Sequence, residues 1–445
     1  MLKKIIAVFI VTTGLGSISA QTFIGKLNPF PNYKPSSLIA NDTIKILGIM
    51  VDFQEDKDGA TFGDGKFGSI YGSEYGNTII DPLPHNKAYF EAHLEFVKNY
   101  FSKVSGDKTT IEYSVLPGII SVSQAMINYS PEPNSDDFIS VANFSKEAWG
   151  IADANYPDID FSSYDVFIIF HAGVGRDVSL PGSLGNERDL PSVYLGDETL
   201  RNILNNDLSG LPVNRNGKYN SMIIPETESR EVESLGGTVL FQLSINGLLI
   251  ASVASHLGLP DLFNTETGLS AIGRLGLMDG QAIFAYNGTF PPEPSAWEKI
   301  FLSEKLNWNL PVVELSPGNH DINLVTKLAA GIGDTVILKV PVNSSEYYLV
   351  ENRIRDANSD GAKITYILNG ITRTKTFTKD TTGFQSYDVD SIDGVVINVD
   401  EYDWAIPNTF SVETDSYNPK PGGGIVIWHV DENVIRDKIA ENKIN

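Results

Sequence analysis

The stretch "LLIASVASHLGLPDLFN" (248–264) carries most of the information about the fold. From Leu248 to Ala254 it is apolar on every side of a helical wheel, with Ser252 the one exception. Such a segment belongs inside a large core, because an amphipathic surface helix keeps one polar face. Gly258 suits the end of a helix, and Pro260 cannot continue one. The apolar character begins earlier, in "GTVLFQLSING" (237–247). The spacing therefore predicts one buried helix over 237–259, with Gly247 as a bend or as a break between two helices. The chain has 445 residues, 42% of them hydrophobic, which is enough to bury such a helix. At about 150 residues per domain, two or three domains are expected.

Upstream, "TIKILGIMVDF" (43–53), "KTTIEYSVLP" (108–117) and "YDVFIIFHAG" (164–173) read as strands. "NKAYFEAHLEFVKNYFSKVSG" (86–106) has helical apolar spacing and a closing glycine, and "SKEAWGIADANY" (145–156) also reads as a helix. Residues 177–234 are polar and loop-like. After Trp308 the pattern changes to short strands at regular spacing, from "VVELSPG" (312–318) to "GGIVIWHVDEN" (423–433). The fold class is α+β: a mixed domain over 43–308, followed by a β-rich domain over 309–445.

The two ends are different in kind. Residues 1–20, MLKKIIAVFIVTTGLGSISA, have two lysines, a short apolar run and small residues before Gln21, which is the pattern of a secretory signal peptide. Residues 21–42 contain Pro29, Pro31 and Pro35 and read as a leader or linker. No later apolar run approaches 18 residues, so no transmembrane segment is expected after signal removal, and the protein is expected to be secreted or held at the cell surface. The absence of any tail after "RDKIAENKIN" (436–445) fits a β-rich domain truncated at its C-terminal end. The formal charge of −23 disfavours nucleic acid and anionic lipid as partners. There is no cysteine, which excludes thiolate catalysis and cysteine-ligated metal sites.

Eight segments, in order, resemble the secreted M6 zinc metallopeptidases, the immune-inhibitor-A-like family. They are "ILGIMVDFQED" (46–56), "VSGDKTTIEYSVLP" (104–117), "YDVFIIFHAG" (164–173), "LGLPDLF" (257–263), "GLMDG" (276–280), "PPEPSAWEKIFLSEKLNW" (291–308), "EYYLVENR" (346–353) and "GGGIVIWHVDE" (422–432). The resemblance implies a zincin- or metzincin-like first domain. It also implies a His-Glu-x-x-His pair on the helix, since two imidazoles one turn apart face one zinc ion and the glutamate activates its water.

Those groups are replaced here. Counting back from Gly258, the ligand positions are Ala251 and Ser255, and the base position is Ser252. Asp261 stands at the third-ligand position and Met278 at the Met-turn. Alanine has no donor atom, and serine is a poor zinc ligand beside imidazole, so zinc is not expected and no catalytic set is intact. His256 lies one residue past the ligand position, about 100° around the helix, and has no partner at 252. Asp261 alternatively reads as a turn residue that holds backbone N–H groups, Met278 as core, and Trp297-Glu298 as an amphipathic helix face.

"DANSDG" (356–361) has the alternating oxygens of a calcium loop, at Asp356, Asn358 and Asp360, with Gly361 at the turn. The twelfth position is Ile367, so it is no EF-hand, and a plain polar turn is the alternative. "EDKDGATFGDG" (55–65) is a weaker case of the same kind. Three functions remain open. The first is a catalytically inactive M6-like protein that binds a protein or polysaccharide. The second is an active secreted metal-dependent peptidase with a non-standard site, for example around Asp261 and His256. The third is a calcium- or carbohydrate-binding β-rich secreted module.

Overall fold

The computed structural model describes residues 26–27 and 43–435, apart from 72–74, 76–78, 134, 136, 180–186, 265–266, 281, 328–329, 332, 378–391, 407–408, 411–418 and 421. The expected signal peptide, most of the leader and the segment 436–445 lie outside the described residues.

The centre of the molecule is a five-stranded sheet with the order β2-β1-β3-β5-β4. Its strands are β1 (Thr43–Asp52), β2 (Thr110–Ser121), β3 (Val166–Val174), β4 (Val193–Leu195) and β5 (Ser221–Thr227). β1 pairs in parallel with β2 and β3, and β3 with β5. The short edge strand β4 runs antiparallel to β5. Side chains alternate across β1 and β3. Ile46, Met50, Ile168 and Phe170 enter one core, while Leu47, Ile49, Phe167 and Ile169 enter the other. A sheet covered on both faces explains why β3 reads as a continuous apolar run.

Helices cover both faces. α1 (Lys87–Ser105) and α4 (Asn246–His256) pack on the first face, and α2 (Ile139–Asn155) and α3 (Asp197–Ile203) on the second. α1 starts where the Asn86 side chain accepts from Ala88 and Tyr89 N–H, and stops at Gly106 with φ 66°. α5 (Ala296–Leu306) opens with a capping box between Ser295 and Glu298.

The buried helix expected over 237–259 is shorter than the sequence suggests. Gly237–Phe241 is a strand, β7, in a hairpin with β6 (Arg230–Ser234), and α4 begins only at Asn246. The apolar run here was equally compatible with strand or helix, and turn chemistry at Leu235–Gly237 decides it. Gly247 is neither bend nor break. It lies in the first turn of α4, where a Cβ would come 1.8 Å from the carbonyl oxygen of Ile283. Its lack of a side chain lets the helix seat directly on the 282–288 segment.

The chain beyond Trp308 is dominated by strands, as its spacing predicts. β8 (Val312–Glu314), β9 (Ile337–Pro341), β10 (Glu346–Ile354) and β14 (Gly423–Asp431) form one four-stranded sheet. β11 (Ala362–Leu368), β12 (Ile371–Phe377) and β13 (Val395–Val399) form another. β13 docks on α1, where Asn99 and Lys103 side chains donate to Ile397 and Val399 carbonyls. A buried charge network joins α5 to β10: Lys299 Nζ lies 2.9 Å from Glu351 and 2.8 Å from Glu293, while Arg353 pairs with Asp403. The molecule is a mixed α/β structure of several sheets and few helices, compatible with the α+β expectation. Among the described residues no helix is long and apolar enough to cross a membrane.

Candidate functional site

α4 runs beneath the edge strand β4, and a cleft opens between them. The cleft is lined by Tyr194 of β4, by Ala251, Ser252 and Ser255 of α4, and by Asp261 and Met278 from the turns that follow. Residues spread over 84 positions of sequence therefore meet at one place, among them all five that the sequence pattern singles out. The space is small, with room for about two water-sized groups.

The polar groups around this space have different fates. Ser255 Oγ donates to the Ala251 carbonyl, 3.1 Å away, which keeps that hydroxyl on its own helix. Ser192, at the rim, donates to Asp177 at 2.7 Å. Tyr194 Oη lies 2.9 Å from His256 Nδ1, and the two rings meet edge to face. Ser252 and Asp261 remain. Among the described residues neither side chain hydrogen-bonds to protein and no cationic side chain pairs with Asp261. Apolar surroundings push the Asp261 carboxyl up to about 7. The reading of Asp261 as a clamp for backbone N–H groups is thus not what the structure shows.

His256 is buried, and burial is the first cause that lowers it to about 3, with Lys305 nearby a lesser one. It stays neutral across ordinary pH, and it does not line the cleft. A metal site built from Asp261 and His256 together gains no geometry from this arrangement. The groups that reach the cleft do not fit zinc either: one carboxylate and serine hydroxyls lack the imidazole or thiolate nitrogen and sulfur donors that zinc sites use.

The turn that carries Met278 is held from outside the cleft. Glu298 accepts from the N–H groups of Leu277 at 3.0 Å and Met278 at 2.7 Å, and also caps its own helix at Ser295. Glu298 is fully buried, and desolvation raises its pKa although these hydrogen bonds work against the rise. The expectation that Trp297-Glu298 forms an amphipathic helix face is corrected here: both residues are buried, and Glu298 is an anchor. The capping-box spacing of "SAWE" (295–298) is a sequence signal that could have found it. Leu262 N–H donates to the Met278 carbonyl at 2.9 Å, and Arg353 Nη1 donates to Leu275 at 2.9 Å. The segment bearing Asp261 is therefore tied to the Met278 turn, and that turn to β10.

In the β-rich region, Asp356 and Asp360 meet Glu401, each offering a carboxylate oxygen within 4.8 Å of the others. Asn358 takes part through its backbone N–H, which donates to Glu401 Oε1 at 3.0 Å. Asp356 Oδ1 accepts from Asp360 and Gly361 N–H. Burial, with help from neighbouring Asp400 and Asp356, raises Glu401 to about 7. Glu401 lies 45 residues from Asp356 and has no local pattern that would have marked it. In the 55–65 loop the acids bind their own turn: Asp56 accepts from Asp58 N–H, and Asp58 from Ala60 N–H.

No protein-family model matches the chain, and no curated protein matches it.

Proposed function

We propose that the protein is a secreted relative of the M6 metallopeptidases that has lost its catalytic groups and binds a protein or polysaccharide ligand. The observation that supports this most is the convergence of Ala251, Ser252, Ser255, Asp261 and Met278 on one cleft. Ala251, Ser252 and Ser255 share one helix, so the part that supports the reading is the arrival beside them of Asp261 and Met278, which the resemblance places at the third-ligand and Met-turn positions. A zincin-like description of the first domain has support in the mixed sheet, whose antiparallel edge strand β4 borders that cleft above α4. The anchors of the Met278 turn lie outside the cleft, so the framework does not depend on a metal. Purified protein incubated with zinc and then dialysed should retain no stoichiometric zinc, and should leave casein-like broad substrates uncut. Zinc at one equivalent together with chelator-sensitive cleavage overturns the reading and favours the active-peptidase alternative.

The Asp356–Asp360–Glu401 cluster favours a second role, calcium binding in the β-rich region. Three carboxylates this close repel one another unless protons or a cation intervene. This role is compatible with the first.

A further inference from the structure

Asp261 and Ser252 point to what the cleft can hold. Among the described residues Asp261 is the only charged side chain that lines it, in a wall otherwise made of Tyr194, Phe263, Met278 and aliphatic or small residues. Asp261 is partly exposed, and its carboxylate, with no hydrogen bond to protein among the described residues, is open to a cation that enters the cleft. The space admits a group about the size of one or two waters, which suits an ammonium head. An ammonium brings three donors, and the Asp261 carboxylate and Ser252 Oγ offer acceptors for them. Aromatic rings, Tyr194 and Phe263, line the same space and suit a cation. A divalent ion is served poorly: calcium takes six to eight oxygens, and zinc prefers nitrogen or sulfur.

We infer that the cleft between β4 and α4 is a receptor for a primary ammonium group, held at Asp261 and Ser252. The inference rests on the reading that this cleft holds no zinc, and it names the ligand chemistry that replaces it. A lysine side chain and a free chain N-terminus both present this group.

The pH dependence follows from the groups that face the site. The Asp261 carboxyl, lifted to about 7 by burial, must ionise to attract the cation. His256, behind Tyr194, stays neutral, and Lys305 is engaged with the Leu257 carbonyl at 2.9 Å. Binding therefore strengthens as pH rises through 7, until the amine itself loses its proton near an ordinary amine pKa of about 10.

The test uses the full chain with its Met278 methyl group isotopically labelled, titrated with n-butylammonium and with n-butanol as the neutral control. Butylammonium should shift the Met278 signal saturably at about pH 8 and far more weakly at about pH 5. Butanol should not. Asp261→Asn should weaken the amine by about tenfold or more. Equal response to both probes, no saturable shift with butylammonium, or full binding by Asp261→Asn overturns the proposal. The wild-type comparison of amine with alcohol holds even if the variant fails to fold. Two peptides then separate the sources, one with an internal lysine and a blocked N-terminus, the other with a free N-terminus and no lysine. A saturable shift from either supports the proposal and identifies the source. A zinc arm run in parallel keeps the two readings apart. Retained zinc overturns the catalytic-loss reading, whereas no zinc and no amine binding overturns the ammonium site alone.

Discussion

The backbone N–H of Met278 donates to Glu298 Oε1 at 2.7 Å, although the two residues belong to different turns of chain separated by a long loop. Through this bond the first turn of α5 fixes the floor of the cleft. Glu298→Ala strips the acceptor from Leu277 and Met278 N–H groups that are buried. At roughly 1–3 kcal/mol for each of the two unsatisfied groups, a loss of about 2–6 kcal/mol is expected. Glu298→Gln keeps one acceptor and should lose less. Urea unfolding of the three proteins at a common slope checks the order, and a neutral alanine variant would remove Glu298 as the anchor.

If the cleft is a peptidase site without its metal groups, it should be repairable. The triple change Ala251→His, Ser252→Glu, Ser255→His restores two imidazoles one turn apart beside Asp261. Metal analysis after dialysis should find about one zinc per chain in this variant and none in the parent. A triple variant that folds, by its thermal melt, and takes up no zinc would mean that these positions do not converge as described.

Asp261 gives a pH signature in stability. Its folded-state carboxyl sits at about 7, above the ordinary value of 3.8, because the charged form is poorly solvated there. A raised value means that the acid's contribution is fully present below about pH 4 and is lost as pH rises through 7. Asp261→Asn removes this titration. The variant should therefore gain in melting temperature relative to wild type between about pH 4 and pH 8, with the two closest at the acid end. A constant difference across that range would show that Asp261 is better solvated than the structure implies.

Calcium should raise the melting temperature of the wild-type protein, and Asp360→Ala should abolish the rise. Asp360 is exposed and its side chain supports no buried contact, so the variant should melt close to wild type in chelator. Identical calcium responses in both proteins would count against the cluster.

Strands in this chain could be read where an apolar run was strong, as at 43–53, or where β-branched alternation was, as at 108–117, and from their regular spacing after Trp308. β5 (Ser221–Thr227) was hidden, although all seven of its residues are buried. It ends in Pro225, Glu226 and Thr227, a composition that mimics a loop. Its Glu226 is stable there because His85 and the N–H groups of Gly68 and Gly173 bind it, contacts that arrive from distant parts of the chain. The cleft was legible only as a register relative to Gly258. That register identified the positions but not the state of Asp261, because the absence of a bonding partner belongs to the surroundings and not to the residue. Glu401 was illegible for the same reason.

The Lys299–Glu351 and Arg353–Asp403 pairs, together with Glu298, locate the stiffness of the molecule behind the cleft. The helix side of the cleft wall carries the small side chains of Ala251, Ser252 and Ser255, whose exchange would leave those bonds untouched. This separation makes the wall evolvable: its chemistry can be rewritten by substitution while the scaffold stays folded. The same latitude would let substitutions at Ala251, Ser252 and Ser255 present different ligand chemistries from the same groove.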